Sequence, residues 1–146
     1  MKFFIGGFDA QGHPIPLTPE TLRARTSAWP TSPETPEEIA LLLKTSRDLF
    51  TMSYFAYEFL TVGVLVSLQA VEAALRHKLT EDRSLARLIQ RAAKLEIITP
   101  DDAERLDAGR RLRNDFSHPS GGTVWTYGMT APLIESSHAL VAKLFE

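Results

Sequence analysis

Apolar residues recur at helical spacing through most of the chain, in residues 36–55, 57–79, 83–97, 100–118 and 131–145. Within each segment they stand three or four positions apart, which gives a helix one buried face. The second segment is apolar on nearly every side, which predicts a central position. The pattern therefore predicts an all-α bundle of about five helices, joined by short loops in an up-and-down arrangement.

The starts of two helices are predicted from capping signals. Thr35 is expected to cap the first helix, because Pro36 suits the first helical position and the acidic residues after it favour the helix N-terminus. Thr99 has the same relation to Pro100 and to the aspartates that follow. Both threonines are therefore expected to bond the first turn of a helix.

The N-terminal residues lack the helical pattern. Aromatic and β-branched residues flank a polar turn from Asp9 to Gly12, which predicts a short β-hairpin or an extended arm. Residues 26–38, TSAWPTSPETPEE, are rich in proline and predict a linker. The expected organisation is an arm and linker over residues 1–34 and a helical domain over residues 35–146. Phe8 and the aromatic residues before it are expected to pack on the domain or on a partner.

Composition excludes several classes of chemistry. With 146 residues the chain can bury one core without a metal or disulfide, and it has no cysteine for a disulfide, a thiolate metal site or a nucleophile. Its four histidines are too scattered for a metal site, so no metal or other cofactor is expected. The apolar stretch between Glu58 and Glu72 is shorter than the roughly 18–20 residues of a membrane span. A cytoplasmic protein without a membrane segment is expected.

Net charge of −2 and a pI of about 6.1 argue against a broadly basic nucleic-acid surface. A local basic cluster is nevertheless present at Arg110, Arg111 and Arg113. It can be a solvated helix face or part of a phosphate site. On the second interpretation Arg110 and Arg111 are candidate RNA-binding residues.

A polar stripe runs along the otherwise apolar second helix, formed by Glu58, Gln69, Glu72 and Arg76. One interpretation is an exposed strip with a Glu72–Arg76 pair, which contributes about 0.2–0.5 kcal/mol. The other is that Gln69 and Glu72 face the basic fourth helix and orient its polar residues. The spacing leaves both interpretations open.

The stretch RLRNDFSHPSGG ends the fourth helix, because Pro119 and the glycines stop it at about His118. The negative partial charge of a helix C-terminus favours the imidazolium form there. Arg113 lies about 140° around the helix from His118, so both can border one groove. A histidine that titrates near neutrality can transfer protons, and an arginine can bind phosphate, which together suit metal-free phosphodiester cleavage. The same residues also suit a capped helix end.

The neighbours of this pair have candidate roles too. Asn114 shares a helix face with His118, and Ser117 lies four residues after Arg113, so both are candidate supporting residues. Asp115 is expected to pair with Arg111 on the solvated side. One histidine does not readily serve as both base and acid, so the mechanism needs a homodimer that supplies a second copy.

The stretch LARLIQRAAKLEIITPDDAERLDAGRRLRNDFSHP resembles the last two core helices of the HEPN superfamily, where a helix with an Arg–polar–x–x–x–His signature ends the core. SLQAVEAALRHKL resembles the central helix of that family, with its internal acidic position. The resemblance covers residues 35–146 and implies a dimerising helical bundle. It implies that Arg113 and His118 are catalytic, that Asn114 supports them, and that Glu72 is the acidic residue of the preceding helix.

Many HEPN members are metal-independent endoribonucleases in toxin–antitoxin, abortive-infection and other defence systems, whereas some bind RNA or proteins without cutting. The expected function is therefore a homodimeric endoribonuclease. The alternative is a non-catalytic RNA-binding or protein-interaction module of a defence complex. The expected partners are RNA, a second copy of the chain and an antitoxin or other defence protein.

Two further polar sites are predicted to be structural. His138 lies among apolar residues and is expected at the edge of the core. Trp125 and Tyr127 can stack on an RNA base, but packing over the end of the bundle is the preferred interpretation.

Overall fold

The computed structural model describes the backbone of residues 5–117 and 126–146 and the side chains of residues 8–115 and 126–146. The described residues form an N-terminal hairpin and a bundle of six helices, so the predicted all-α bundle of about five helices with an N-terminal arm is confirmed, and α1 is an additional helix. The elements are β1 (Ile5–Phe8), β2 (Pro14–Pro16), α1 (Pro19–Ser27), α2 (Glu37–Met52), α3 (Phe59–Leu79), α4 (Leu85–Lys94), α5 (Pro100–Ser117) and α6 (Tyr127–Leu144).

The predicted hairpin is confirmed, with β1 and β2 paired antiparallel. The Asp9 carboxylate closes the turn by accepting hydrogen bonds from the backbone N–H groups of Gln11 at 2.9 Å and His13 at 2.8 Å. Gly12 has a φ of +81°, a conformation that glycine adopts without steric cost. Phe8 is 68% exposed, so it does not pack on the domain as expected. The hairpin therefore presents this ring to solvent or to a partner.

Helix α1 lies in a part of the chain where no helix was predicted. Thr18 caps it by accepting a hydrogen bond from the Thr21 backbone N–H at 3.1 Å, and Pro19 takes the first helical position. Leu22 is only 2% exposed, and Trp29 just after the helix is 5% exposed. The helix anchors the N-terminal region in the core. Periodicity missed this helix because, apart from Pro19, its only apolar residues are Leu22 and Ala24, although the Thr–Pro capping signal is present in the sequence.

The two predicted helix caps have different outcomes. Thr35 does not cap α2, because Pro36 occupies the N-cap position and makes no side-chain cap bond. Thr99 does cap α5, since its hydroxyl accepts from the Asp102 backbone N–H at 3.0 Å and its own N–H donates to the Asp102 carboxylate at 3.1 Å.

Helix α3 is at the centre of the bundle, as its apolar sequence predicted, and contacts α2, α4, α5 and α6. Its C-terminal half packs into one apolar cluster, mainly with α4 and the end of α6. Its N-terminal half packs into a second cluster with α2, the start of α6 and the residues around α1. The largest fully buried side chains include Phe50, Ile39, Leu60, Leu75, Leu88, Ile134 and His138.

Helix α3 is longer than the apolar stretch between Glu58 and Glu72 from which no membrane span was expected. It has 21 residues, which by length and composition is enough to cross a membrane. However, 56% of its most apolar 18-residue stretch is buried inside the protein. Packed among four other helices, α3 is the core helix of the bundle.

Candidate functional site between α3 and α5

A charged network joins α3 to the arginine of the RLRNDFSHPSGG stretch. Arg113 Nη1 on α5 lies 3.5 Å from Glu72 Oε2 on α3. The other oxygen of this carboxylate, Oε1, lies 2.7 Å from Arg76 Nη2 one turn further along α3. The Glu72 carboxylate therefore makes the predicted pair with Arg76 and also contacts Arg113, although it lies in a half-buried groove and not on an exposed strip.

The network is half-buried in the groove between the two helices. The side chain of Glu72 is 18% exposed, that of Arg113 is 30% exposed and that of Arg76 is 43% exposed. At this depth the charges are less screened than on an open surface, so the carboxylate can restrain the guanidinium. Arg113 still reaches the surface of the groove, where its guanidinium can meet a phosphate.

Arg113 lies near Glu72 because α5 packs closely against α3. Gly109 is one turn before Arg113, and a Cβ atom there would lie 3.2 Å from Leu68 Cδ2. On the same side of α5, Leu106 is buried and Leu112 packs against the second apolar cluster. Gly109 thus leaves room for the Leu68 side chain where α5 meets α3, and Arg113, one turn later, reaches the Glu72 carboxylate.

The basic neighbours of Arg113 are partly neutralised. A single carboxylate, Asp107, pairs with Arg110 at 2.9 Å and with Arg111 at 2.9 Å. The predicted partner of Arg111 was Asp115, four residues later, whereas the structure uses Asp107, four residues earlier. A phosphate bound by Arg110 or Arg111 would therefore compete with Asp107. The four-residue spacing between Asp107 and Arg111 is visible in the sequence, so this pair could have been predicted.

The remaining members of the predicted polar stripe on α3 lie outside this network. Gln69 is exposed, and Glu58 is exposed at the N-cap position of the helix. Within the described residues, Glu72 is thus the stripe residue that the structure brings to the motif arginine.

The second half of the motif is only partly described. Asn114 is exposed near the end of α5, and Ser117 is the last residue of that helix. The side chain of Ser117 lies outside the described residues, as does all of His118. The proximity of His118 to Arg113 and Asn114 therefore stays a prediction from the sequence.

His138 is more deeply buried than the predicted core edge. Its side chain on α6 is 0% exposed and packs against the Trp29 ring, with a centroid distance of 5.3 Å. Its Nδ1 atom is 2.8 Å from the Ile134 carbonyl oxygen. Burial, reinforced by the positive charge of Arg47, lowers the pKa of His138 to about 4. It is a neutral core residue at pH 7 and is inaccessible to a substrate.

Tyr127 has the structural role that the sequence favoured. Its hydroxyl lies 2.8 Å from the Ser53 hydroxyl, and its ring meets Phe50 edge-on at 5.7 Å. Burial raises the pKa of Tyr127, so its phenol stays protonated at neutral pH. Packing over the end of the bundle is thus confirmed for Tyr127, while Trp125 lies outside the described residues.

A surface feature next to Tyr127 was not predicted. The loop between α2 and α3 exposes three aromatic rings, with Tyr54 at 44%, Phe55 at 68% and Tyr57 at 43%. They border a cavity of about 170 Å³ together with Leu17, Ser53 and Tyr127. The cluster is visible in the sequence as YFAY, which could have indicated a contact surface.

Metal-binding geometry is not found where the structure describes the chain. Within the described residues, no three histidine, aspartate or glutamate side chains are grouped so that they could hold a metal ion. The α3–α5 groove presents the Arg113 guanidinium with the Glu72 carboxylate beside it.

The comparisons with known proteins give no match: no family model, no curated protein and no solved structure matches this chain.

Proposed function

We propose that this protein is a metal-independent endoribonuclease of the HEPN type, which acts as a homodimer in the cytoplasm within a toxin–antitoxin or antiviral defence system. The observation that supports the proposal is the contact of Arg113 with Glu72. One interpretation of the sequence was that Glu72 faces the fourth helix and orients its polar residues, and its carboxylate lies 3.5 Å from the Arg113 guanidinium across the groove.

In the proposed reaction the ribose 2′-oxygen attacks the adjacent phosphorus and the bond from phosphorus to the 5′-oxygen breaks. The products are a 2′,3′-cyclic phosphate and a 5′-hydroxyl. Arg113 binds the phosphate oxygens and stabilises the negative charge that builds up on them in the transition state. Glu72 is a positioning residue that restricts the guanidinium to the groove.

Two protons must move in this reaction, and His118 is the proposed group. One imidazole accepts the proton of the 2′-hydroxyl, and a second imidazole, protonated, donates to the leaving 5′-oxygen. Because each chain has one copy of the motif, the second His118 comes from the partner subunit in a composite site. Asn114 and Ser117 are proposed to support the pair, and the surface of α5 around Arg110 and Arg111 to contact the RNA backbone.

The test is cleavage of labelled single-stranded RNA by the purified full chain in EDTA. Arg113→Ala and His118→Ala are each expected to abolish the cleavage, after circular dichroism has confirmed the helical fold. Arg105→Ala is the matched control, since Arg105 lies on the same helix, is 61% exposed and pairs with Asp101 away from the groove. Absence of cleavage by the wild-type protein on any RNA tested would overturn the proposal.

The composite site can be tested separately. Light scattering at micromolar concentration is expected to give the mass of a dimer. Mixing wild-type chains with an excess of His118→Ala chains is expected to abolish most of the cleavage, because a mixed dimer has one His118 and the composite site needs two. A strict monomer that still cleaves RNA would refute the two-histidine mechanism.

A second candidate function is a non-catalytic module that binds a protein partner in a defence complex. Two observations favour it: the exposed aromatic rings of Tyr54, Phe55 and Tyr57, and the pairing of Arg110 and Arg111 by Asp107, which reduces the free positive charge. An inactive wild-type protein whose partner contact is lost in Phe55→Ser would support this candidate in place of the nuclease.

A further inference from the structure

A basic cleft lies between α1 and α2, away from the residues discussed for catalysis. It has a volume of about 600 Å³, within the range of small-molecule sites in proteins. Three cationic side chains line it, Arg23 from α1 and Lys44 and Arg47 from α2, together with the carboxylate of Asp48 and the hydroxyl of Thr26.

The charges in the cleft are not balanced. Lys44 Nζ lies 2.8 Å from Asp48 Oδ2, so the carboxylate in the cleft already has a cation. Among the described residues, neither Arg23 nor Arg47 forms an ion pair with a carboxylate. The four charged side chains of the cleft therefore sum to two net positive charges, which favours an anionic ligand.

Arg47 has the environment of a residue that binds an anion. Its side chain is half-buried, and burial lowers its pKa, although the charge of Asp48 acts in the opposite direction. Removal of water from a guanidinium is unfavourable unless an anion or hydrogen-bond acceptors replace the water. A ligand oxygen in the cleft would provide this replacement, and two oxygens of one phosphate match the two-pronged geometry of arginine.

The hydroxyl groups at the rim limit what the cleft can recognise. Thr26 Oγ1 and Ser27 Oγ both donate to the Arg23 carbonyl oxygen, at 3.0 Å and 2.8 Å. Their protons are thus already used, and these hydroxyls offer a ligand only their lone pairs. The cationic side chains are therefore the main donors to a ligand oxygen, together with the Thr51 hydroxyl, and this favours negative charge over neutral polar groups.

We infer that the α1–α2 cleft binds the phosphate group of a small phosphorylated molecule, held between Arg23 and Arg47. The inference rests on the cleft and its charges, and it is independent of the proposed ribonuclease activity. Free inorganic phosphate and a phosphorylated sugar share this chemistry, and binding measurements distinguish between them.

The test is isothermal titration calorimetry of the full chain at low salt with inorganic phosphate, ribose 5-phosphate and ribose. Both phosphate compounds are expected to bind and ribose is not; tighter binding of ribose 5-phosphate would show that the cleft also contacts the sugar. Arg47→Gln is expected to weaken binding at least about tenfold, the loss of one charge-assisted hydrogen-bond pair. Arg23→Gln is expected to weaken it as well and, being at an exposed residue, serves if Arg47→Gln does not fold.

Arg87→Gln is the matched control, since Arg87 is an exposed arginine on α4 outside the cleft. Unchanged binding by this variant supports a defined site. The inference is overturned if neither phosphate compound binds at millimolar concentration, or if Arg87→Gln weakens binding as much as Arg47→Gln does. Binding of an RNA oligonucleotide through Arg23 and Arg47 without binding of ribose 5-phosphate would assign the cleft to RNA and likewise overturn it.

Discussion

Two polar side chains, His138 and Arg113, lie on helices that pack against α3, but their surroundings differ. His138 is 0% exposed and meets the carbonyl oxygen of Ile134 on its own helix. The side chain of Arg113 is 30% exposed and meets the carboxylate of Glu72 on another helix. The deep core accommodates a polar ring by keeping it uncharged, whereas the half-buried groove keeps a charge and restrains it. Only the second arrangement leaves chemistry available to a ligand.

The two regions also differ in what they contribute to stability. The region around His138 consists of tightly packed rings, with Trp29 and Phe50 at a centroid distance of 5.1 Å. The groove consists of ion pairs that water partly screens, and such pairs each contribute about 0–1 kcal/mol. Substitutions in the core are therefore expected to change stability most, and substitutions in the groove to change function with little loss of stability.

The largest effect is expected from Phe50→Ala. Phe50 is 0% exposed, and its ring contacts both Trp29 and Tyr127, so truncation leaves a cavity in the second apolar cluster. The expected loss is about 3–5 kcal/mol in the free energy of unfolding, measured by denaturant titration. Phe55→Ala is the matched control because Phe55 is 68% exposed, and a change within about 0.5 kcal/mol is expected. Equal losses would contradict the placement of the core.

The second effect concerns pH and His138. The pKa of this histidine is about 4 in the folded protein, against 6.5 for an unperturbed side chain. Between these values the unfolded chain binds more protons than the folded one, so stability falls as pH is lowered. His138 is expected to remove about 3 kcal/mol of stability between pH 7 and pH 4, measured by denaturant titration at each pH.

His138→Leu isolates this contribution, since the carboxylates titrate in both proteins. The difference in stability between pH 7 and pH 4 is expected to shrink by about 3 kcal/mol in this variant. His13→Gln, at a 77% exposed side chain of the hairpin, is expected to leave the difference unchanged. If His138→Leu has the same pH dependence as the wild type, the histidine is not the buried neutral group described above.

The groove shows what sequence alone could predict and what it could not. Helical spacing placed Glu72 on the polar stripe of α3 and Arg113 on a neighbouring helix, and a contact between these two helices through Glu72 was one of the two interpretations left open. Periodicity does not reveal that Gly109 faces the Leu68 side chain where α5 meets α3. Asp115 was predicted as the partner of Arg111, whereas the observed partner is Asp107. Spacing alone does not distinguish them, because both aspartates lie four residues from Arg111.

The core shows a different limit. Apolar periodicity predicted the five long helices, including the central position of α3. Helix α1 was not predicted from periodicity, because its burial depends on Leu22 and on Trp29 beyond its end. Two residues are too few to form a helical pattern. Likewise, the local sequence around His138 indicated apolar neighbours, but its complete burial depends on Trp29, more than a hundred residues away. Such long-range contacts determine burial and are not encoded in a short stretch of the chain.

The third effect tests the helix crossing that joins core and groove. Gly109→Leu places a side chain where a Cβ atom alone would lie 3.2 Å from Leu68 Cδ2, so the Leu68 side chain must shift and the larger leucine is expected to push α5 from α3. The expected loss of stability is about 1–3 kcal/mol. RNA cleavage is expected to fall by about 100-fold, since a shift of about 1 Å in a catalytic group has an effect of that size.

Gly128→Leu is the matched control for this crossing. Gly128 is exposed near the start of α6, and the nearest atom to a Cβ there is 3.8 Å away, an ordinary contact. It is expected to leave both stability and cleavage close to the wild-type values. If Gly109→Leu were equally well tolerated in both measurements, close approach of α5 to α3 would not be what positions Arg113.

The smallest effect on stability is expected from Glu72→Gln. This variant distinguishes the groove from the core most clearly, because activity is expected to change much more than stability. The side chain keeps its size but loses the charge that restrains Arg113 and Arg76, and these partly exposed pairs contribute about 1 kcal/mol or less. The turnover number for RNA cleavage is nevertheless expected to fall at least about tenfold, because a guanidinium that is not held in place stabilises the transition state less well.

Glu58→Gln, at an exposed acidic residue beside the same helix, is the control and is expected to change neither quantity. Glu72→Asp keeps the charge on a shorter side chain and is expected to recover part of the activity, which a purely structural role for Glu72 would not produce. If Glu72→Gln lowered stability by several kcal/mol and activity only in proportion to the unfolded fraction, Glu72 would belong with His138 among the structural residues. A lower turnover number at nearly unchanged stability would instead show that the charge of Glu72 contributes to RNA cleavage and not to the stability of the fold.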